Sequence, residues 1–434
     1  MSFITSLIST VYNALWGDLF AIPLPGGGSL GISLLVLLLI PTGVYFTIRT
    51  RFLPIRLFPE MLRITAEKRG SRGDAISGVQ ALIVSTATRV GMGNLVGVVA
   101  AISAGGAGAV FWMWASALVG SATAFVEATL AQLYRERDPL YGGFRGGPAY
   151  YIRAFEQRHG QKGRRTVLAT LFAISGLICW CGISQVVSNS VTSAFQNAFE
   201  IPPLVTTVVL VALAAVIVLR KNASVKVLDV LVPIMAVCYF LMTLFLIIKN
   251  ASVLPSVFQR IFEEAFGLRQ VVAGGFGAVV MNGVKRGLFS NEAGSGSAPC
   301  AAAAGESGHP AKTGLLQASM EYHLGRFGVI FIALILWLFC FSTFIGILFY
   351  ARSNVAYLFG DNWFSQTAYK VLALVMLFIG GLAAYTFVWD LGDVGVGLMT
   401  VFNIIVILPM SKEALVSLRD YEQIMAKRKQ EGSK

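Results

Sequence analysis

About ten apolar runs, most of them near the 20-residue length of a membrane span, limit what this sequence can fold into. A helix rises 1.5 Å per residue, so about 20 residues cross the roughly 30 Å hydrocarbon core of a bilayer. Only 13% of the 434 residues are charged and 56% are hydrophobic, whereas a soluble protein carries about 25% charge because its surface faces water. The pattern predicts an all-α membrane protein with several spans.

The predicted spans follow one another along the chain. Residues 1–27 are expected to lie at the membrane interface, because they form an amphipathic stretch around Trp16 rather than an apolar run. Spans are expected at residues 30–47, 78–104, 109–133, 167–187, 204–219, 227–248, 271–305, 327–350, 368–389 and 394–410.

Lysine and arginine predict the orientation, since short loops rich in these residues stay in the cytoplasm. Residues 49–72, 135–165 and 220–226 are rich in them, and the connections at 105–108 and 189–203 have none. This alternation predicts an N-terminus outside and basic loops inside. Ten spans would then leave the C-terminus outside, although six lysines and arginines in its tail favour the cytoplasm. The charges therefore require one span more or one fewer.

Two of the predicted spans are poor lipid-facing helices. Residues 85–97 (STATRVGMGNLVG) and 282–299 (NGVKRGLFSNEAGSGSAP) contain several glycines each, and each glycine costs a helix roughly 1 kcal/mol relative to alanine. Unwound backbone at membrane depth lines a cavity or is buried in protein, and a pair of glycine-interrupted spans at matching positions of two repeats indicates a transporter's binding site. The alternative is that the glycines only permit close helix packing.

Several polar residues inside the apolar runs are candidates for function or for joining helices. Ionisable residues at depth usually face an interior or a pathway. The candidates are Arg89, Glu127 and Glu292, the neutral Gln185 and Asn403, and the adjacent hydroxyls of Ser342 and Thr343. For Arg89 and Glu127 structural pairing is favoured. Gln185 and Asn403 either bond a substrate or join helices, and the two hydroxyls suit a hard cation such as sodium.

Other classes of protein fit the sequence poorly. The net charge of +12 comes from loops between apolar runs, so a nucleic-acid partner is not expected. The five cysteines form no CxxC pair and the three histidines are scattered, which argues against a disulfide framework and a zinc site. No catalytic triad or phosphate-binding loop stands out, so we expect neither an enzyme nor an organic cofactor. No removable signal peptide is expected.

Several longer motifs make the sequence recognisable. They are RVGMGNLVGV (89–98), FWMW (111–114), GGPAYY (146–151), NGVKRGLFSNEAG (282–294), HPAKTGLLQ (309–317), FSTFIG (341–346) and VWDLGDVGVGLM (388–399). With these motifs the chain resembles the alanine/glycine:cation symporter family, sodium-coupled amino-acid carriers of the leucine-transporter fold. The resemblance covers most of the chain.

The resemblance implies a fold, an activity and site residues. It implies a leucine-transporter-like inverted 5+5 repeat with one extra N-terminal span, and a multi-pass protein of the cell inner membrane. It implies co-transport of a small amino acid, alanine or glycine, with sodium as the coupling ion, by alternating access. The amino acid would contact Gly91, Gly93, Asn94, Gln185 and Gly283 or lie in a pocket that they shape, and sodium would contact Ser342 and Thr343.

The sequence departs from the family at three places. Members usually have threonine at the position of Met92 and asparagine at that of Val187. They also continue after Gln317 with another full span, whereas here a short polar linker leads directly into the helix that carries FSTFIG. One span of the second repeat is therefore expected to be missing, which agrees with the charge count. A transport-deficient relative with a residual binding or regulatory role is the alternative to a working symporter.

Domain boundaries follow from these expectations. They are an interfacial N-terminus (1–27), an extra first span with a basic cytoplasmic loop (28–75), a first inverted repeat (76–250), an incomplete second repeat (270–410, with a gap near 318–326) and a basic cytoplasmic tail (411–434).

The tail gives a direct test of orientation. A reporter that is active only in the periplasm, fused after Lys434, should stay silent, because six nearby lysines and arginines oppose translocation. The same reporter fused within residues 105–108 should be active, since that connection has no basic residue. A bright signal from the C-terminal fusion would contradict the predicted topology.

Overall fold

A computed structural model of the protein describes residues 2–23, 29–66, 98, 101–141, 143–220, 223–267, 275–291, 293–296, 326–383 and 385–431. The helices are α1 (Ser2–Trp16), α2 (Leu34–Arg49), α3 (Leu53–Arg56), α4 (Phe58–Ala66), α5 (Ala109–Leu133), α6 (Pro148–Arg158), α7 (Val167–Phe199), α8 (Pro203–Val218), α9 (Ala223–Lys249), α10 (Leu254–Ala265), α11 (Gly275–Asn291), α12 (Arg326–Phe359), α13 (Trp363–Leu382) and α14 (Tyr385–Glu431). Two antiparallel hairpins pair β1 (Asp18–Pro23) with β2 (Ser29–Ser33) and β3 (Glu136–Arg137) with β4 (Phe144–Arg145).

Apolar helices of membrane length confirm the prediction of an all-α, multi-pass membrane protein. Among the described residues six segments are long and apolar enough to cross a bilayer, and α2 and α8 are shorter apolar helices. The six are Ala109–Leu133, Val167–Phe199, Val230–Lys249, Ala333–Phe359, Trp363–Leu382 and Asp390–Lys427. Of the predicted span 78–104, only Val98 and residues 101–104 are described.

The N-terminal region differs from the prediction. The run that begins at residue 30 starts as strand β2, and α2 begins only at Leu34, where the Ser33 hydroxyl accepts a hydrogen bond from Val36 N (3.4 Å). The Trp16 indole donates to Asp393 O (3.0 Å), so the end of α1 packs against α14. The placement of residues 1–27 at the membrane interface stays a prediction.

Helix α7 is longer than its apolar run. The predicted span ended at residue 187, but the helix continues to Phe199. Hydropathy falls after residue 187 because Ser188, Asn189, Ser190 and Thr192 are polar, yet all four are buried. They are compatible with a span because neighbouring helices, rather than lipid, surround them.

The boundary between the last two apolar helices also differs from the prediction. The spans were expected to be separated near residues 390–393, but α13 ends at Leu382 and α14 begins at Tyr385. The Asn189 amide donates to Gly380 O (3.3 Å) and Ala383 O (3.0 Å). These bonds satisfy carbonyls that the end of a helix leaves unpaired, which accounts for a helix end at this point.

The centre of the core is α7, which packs against α12, α13 and α14. Helix α12 runs antiparallel to it: Asn354 Nδ2 donates to Ala173 O (3.3 Å), and the rings of Trp180 and Tyr350 lie 5.9 Å apart. Both rings are buried. A central helix buried on several sides fixes the positions of the helices around it.

Ion pairs join the helices at the end of the bundle that carries the basic loop 135–165, which we call the basic end. The buried carboxylate of Asp138 accepts hydrogen bonds from Arg352 Nε (2.8 Å) and from the backbone N–H of Leu140 and Tyr141 (3.0 Å each). The Arg352 guanidinium also lies 4.0 Å from the centre of the Tyr141 ring. This pair ties α12 to the loop after α5.

The C-terminal helix is held at the same end. Glu413 of α14 accepts hydrogen bonds from Arg158 and from the Tyr134 hydroxyl (2.5 Å). Burial and the hydrogen bond to Glu413 raise the pKa of Tyr134 to about 12. Arg56 donates to Glu422 (2.6 Å), farther along α14. Residues 411–431, predicted to be a polar tail, therefore continue the last apolar helix.

The Arg352–Asp138 pair should be needed for a stable fold. Arg352→Leu leaves a buried, unpaired carboxylate, so we expect the free energy of unfolding to fall by about 3–5 kcal/mol. The measurement is thermal unfolding in detergent. Arg63→Leu, at an exposed arginine of α4, should have little effect, and adding Asp138→Asn to Arg352→Leu should recover part of the loss. Equal midpoints for Arg352→Leu and Arg63→Leu would contradict a structural role for the pair.

Candidate functional site

Helix α11 ends inside the second glycine-rich segment. Helix α11 ends at Asn291, and residues 293–296 turn instead of continuing it. Gly294 and Gly296 adopt positive φ angles of 90° and 78°. A Cβ on Gly294 would lie 2.3 Å from a Leu39 methyl group, and one on Gly296 would lie 2.7 Å from the Phe172 ring. Both the conformation and the packing therefore require glycine.

A buried carboxylate holds this turn. Glu127 of α5 is fully buried. One of its oxygens accepts a hydrogen bond from Gly294 N and the other from Gly296 N, both at 3.0 Å. Hydrogen bonds to an ionised group are stronger than those between neutral groups. Glu127 was predicted to pair structurally, and among the described residues it pairs with these backbone N–H groups.

Asn403 extends the same network to α14 and α6. Its amide nitrogen donates to Glu127 Oε1 and to Gly294 O (3.0 Å), and its oxygen accepts a hydrogen bond from the Tyr151 hydroxyl. All three side chains are buried. Of the two roles left open for Asn403, the structure assigns it the joining of helices. Tyr151 was not predicted as a member of this network, since its only signal in the sequence is its place in GGPAYY.

Gly283 lies where α11 crosses α5. A Cβ on it would be 2.4 Å from Ala109 O, and one on Gly287 would be 2.0 Å from Ser116 Oγ. These two glycines, four residues apart, share one face of α11 and let the two backbones approach closely. The side of Gly283 where a Cβ would stand is therefore filled by α5, and its backbone lies within the hydrogen-bonded interior of α11.

Gln185 lies in α7 opposite α13. It is buried, its amide nitrogen is 3.2 Å from Met376 Sδ, and its amide oxygen has no hydrogen-bond partner among the described residues. A Cβ on Gly380 of α13 would lie only 2.2 Å from Gln185 Cα. The two backbones are thus in contact. The contact of Gln185 with Met376 was not predicted, since methionine gives no polar signal in the sequence.

Ser342 and Thr343 are fully buried in α12. The Ser342 hydroxyl donates to Phe339 O of its own helix (2.9 Å) and lies 3.6 Å from Met235 Sδ. The Thr343 hydroxyl has no hydrogen-bond partner among the described residues. Its oxygen therefore keeps its lone pairs for another donor or a cation.

Val187 and Thr343 occupy matching levels of two antiparallel helices. The Trp180 and Tyr350 rings are in contact. Seven residues are close to two helical turns, so the same faces of α7 and α12 bring Val187 opposite Thr343. The departure from the family at residue 187 thus lies at the level of the buried Thr343 hydroxyl, which lacks a hydrogen-bond partner within the described part of the chain.

The first glycine-rich segment cannot be described in the same way. Gly91, Gly93 and Asn94 lie outside the described residues, as do Arg89 and Glu292. The structure therefore brings together Glu127, Asn403 and the second glycine cluster, and places Gln185 and Thr343 on the central helix α7 and its neighbour α12.

These features define a multi-pass membrane protein with a helix that ends inside the bundle and is braced by a buried carboxylate. The family model of the sodium:alanine symporter family matches residues 27–320 and 313–434. The chain belongs to this family of sodium-coupled amino-acid symporters.

Similar proteins include named carriers. Amino-acid carrier protein AlsT of Bacillus subtilis is 37% identical over 472 residues, covering 99% of this chain and 94% of AlsT. The probable sodium/glutamine symporter GlnT of the same organism is 37% identical over 429 residues, covering 90% and 88%. Sodium/alanine symporter AgcS of Methanococcus maripaludis is 32% identical over 463 residues, covering 96% and 97%.

The matches contain an interruption. The family model matches in two pieces that overlap only at residues 313–320, next to the expected gap at 318–326. The alignment with AlsT runs over 472 positions although this chain has 434 residues. Some of those positions therefore lie opposite gaps in this chain. The difference between the alignment length and the chain length is more than the roughly 20 residues of one span.

Glu127 should be essential for holding the broken helix. Glu127→Gln puts an NH₂ group against N–H donors in either orientation of the amide, so we expect a loss of about 3 kcal/mol in the free energy of unfolding. Thermal unfolding in detergent measures this. Glu200→Gln makes the same chemical change at an exposed site and should leave the midpoint unchanged. If the two variants unfold at the same temperature, the carboxylate is not what holds the turn.

Proposed function

We propose that this protein carries alanine or glycine together with sodium across the cell inner membrane by alternating access. The observation that carries the proposal is the match to the sodium:alanine symporter family along nearly the whole chain. The relatives named sodium/alanine symporter and amino-acid carrier support the substrate class.

The site of transport would lie between the two glycine-rich segments. Gly91, Gly93, Asn94, Gln185 and Gly283 are the proposed contacts of the amino acid or the walls of its pocket. The end of α11 inside the second glycine-rich segment supports this proposal, since glycine-interrupted spans indicate the binding site in transporters. Gln185 adds a buried amide oxygen that has no partner among the described residues.

Ser342 and Thr343 are the proposed sodium contacts. Sodium is a hard cation, for which we expect the oxygen ligands that other hard cations take. The buried Thr343 hydroxyl has no partner among the described residues, and leaving a buried polar group unpaired costs about 1–3 kcal/mol. A bound cation would offset that cost.

The proposed inverted repeats, 76–250 and 270–410, would be joined by the network around Glu127. Glu127 and Tyr151 come from the first, and Gly294 and Asn403 come from the second. In alternating access one group of helices rocks against the other around a fixed site. Helices joined by this network would move together. The basic tail would stay in the cytoplasm, where Glu413 and Glu422 anchor it to the basic loops.

The second candidate is a transport-deficient member of the same family that still binds. The two-piece family match favours it, because a missing span removes one fifth of the second repeat. Resequencing the coding region around codons 315–325 addresses this directly. Finding about 35 further codons in frame, enough for one span of roughly 20 residues with its connections, would make the gap a sequence artefact.

Uptake of labelled alanine and glycine into proteoliposomes tests the proposed function. We expect accumulation driven by an inward sodium gradient, and none with potassium in its place. A second protein, used for comparison, carries an insertion between residues 317 and 326. The inserted segment is the part of AlsT that aligns with the gap in this chain.

The two proteins separate the candidates. Uptake by the unaltered chain supports a working symporter. Uptake by the extended chain alone supports the transport-deficient relative. If neither protein accumulates either amino acid under any cation gradient, the proposed substrate is wrong.

A further inference from the structure

Helix α2 has one buried face and one exposed face, and both are apolar. The large exposed residues recur at helical spacing, at Leu37, Val44, Tyr45 and Ile48. The buried residues recur on the opposite side, at Leu35, Leu39, Thr42, Gly43 and Phe46. A helix that is apolar all round lies in a protein core or spans a membrane. The exposed side, which we call the lipid face of α2, therefore faces acyl chains.

Large apolar side chains remain exposed beyond the end of α2. The backbone N–H of Phe52 donates to Thr47 O (2.9 Å), so Phe52 stays next to the last turn of the helix. Its side chain is 57% exposed, that of Ile55 is 63% exposed, and Phe58 is exposed as well. An exposed apolar patch marks contact with a partner or with a membrane. We call residues 48–58 the elbow.

The turn of the elbow holds Phe52 outside. Arg51 and Phe52 have positive φ angles of 55° and 53°, a conformation that is unfavourable for any residue with a Cβ. Arg56 stabilises the turn, because its guanidinium donates to Thr50 O (3.2 Å) and to Arg51 O (3.3 Å). Leu53, the next residue, is buried. Defined contacts thus pack Leu53 into the protein and leave Phe52 exposed.

Two arginines in and beside the elbow are paired with carboxylates of the protein. Arg56 pairs with Glu422 (2.6 Å), and Arg63 pairs with Glu60 (3.4 Å). Glu422 lies on α14 beyond Glu413, which is held at the basic end. The elbow therefore lies at the basic end.

Arg49 and Arg51 have no carboxylate partner in the part of the chain that the structure describes. Both are exposed. The Arg49 guanidinium lies 5.7 Å from the centre of the Tyr45 ring, on the lipid face of α2. Tyrosine and arginine at the end of an apolar helix are typical of the depth where acyl chains meet headgroups. A guanidinium also matches a phosphate group through paired hydrogen bonds.

We propose that the elbow lies in the headgroup layer of the leaflet at the basic end and binds an anionic phospholipid. Arg49 and Arg51 bind its head, and Phe52, Ile55 and Phe58 contact its acyl chains. Two arginines favour a head with net negative charge over a zwitterionic head, whose own ammonium offsets the phosphate. The lipid face of α2 leads directly into the elbow, which makes lipid rather than a soluble protein its partner. The inference does not depend on which solute the protein carries.

Binding of single lipids to the full chain in detergent tests the charge recognition. Native mass spectrometry measures the affinity for phosphatidylglycerol and, separately, for phosphatidylcholine. The unaltered chain should prefer phosphatidylglycerol. Arg49→Gln combined with Arg51→Gln should weaken phosphatidylglycerol binding roughly tenfold to thirtyfold, since each arginine near an anionic surface contributes about fivefold. Binding of phosphatidylcholine should not change.

The matched control removes the same charge from another exposed loop. Lys162→Gln combined with Arg165→Gln alters the connection between α6 and α7, where both side chains are exposed. This variant should keep the preference for phosphatidylglycerol. Both double variants should unfold at the temperature of the unaltered chain, because only exposed side chains change. Equal effects of the two double variants on phosphatidylglycerol binding would overturn the proposal, since the lipid would then respond to net charge alone.

A photoreactive residue identifies what covers the elbow. With p-benzoylphenylalanine in place of Phe52, in proteoliposomes of equal parts phosphatidylglycerol and phosphatidylcholine, we expect cross-links to lipid and mainly to phosphatidylglycerol. Adding Arg49→Gln and Arg51→Gln should keep the lipid cross-links and remove the preference. Cross-links to a second copy of the chain in place of lipid would overturn the proposal, as would lipid cross-links without a preference in the chain that keeps both arginines.

Discussion

The carboxylate of Glu127 is the interaction on which the arrangement of the helices depends. A helix that stops inside an apolar bundle leaves C=O groups unpaired, and the turn that follows it has unpaired N–H groups, which apolar surroundings cannot hydrate. Glu127 accepts hydrogen bonds from two of them, on Gly294 and Gly296. Asn403 pairs with both the carboxylate and Gly294 O. The turn is thereby held by α5 and α14 together.

The packing of small residues supports this network. Gly283 and Gly287 let α11 lie directly on α5, and Gly380 lets α13 lie directly on α7. In lipid there is no hydrophobic driving force that brings helices together. Glycines instead favour their association by letting the backbones pack closely. Close contact of backbones in turn places polar side chains such as Gln185 and Asn189 against neighbouring helices rather than lipid.

Sequence patterns predicted the helical class, most spans and the interruption of a helix in the second glycine-rich segment. The α5 span, 109–133, agrees with the structure at both ends. The predicted helix ends were wrong where polar residues are buried by neighbouring helices, because hydropathy takes such residues for the end of a span. The polar residues at 188–192 lowered the apolar signal of α7, although other helices cover them. The end of α13 could not be found because the side chain that satisfies its carbonyls, Asn189, is more than 190 residues away along the chain.

The sequence by itself determined that this is a multi-pass membrane protein with a glycine-interrupted span, and that its motifs belong to a family of sodium-coupled carriers. Those properties depend on local composition and on short runs of residues. Only the tertiary structure decided that Glu127 pairs with backbone N–H groups, that Asn403 joins helices, and that the Gln185 amide lies against Met376. These are contacts between helices distant in sequence, and a hydrogen bond depends on distance and angle, which no pattern along one helix contains.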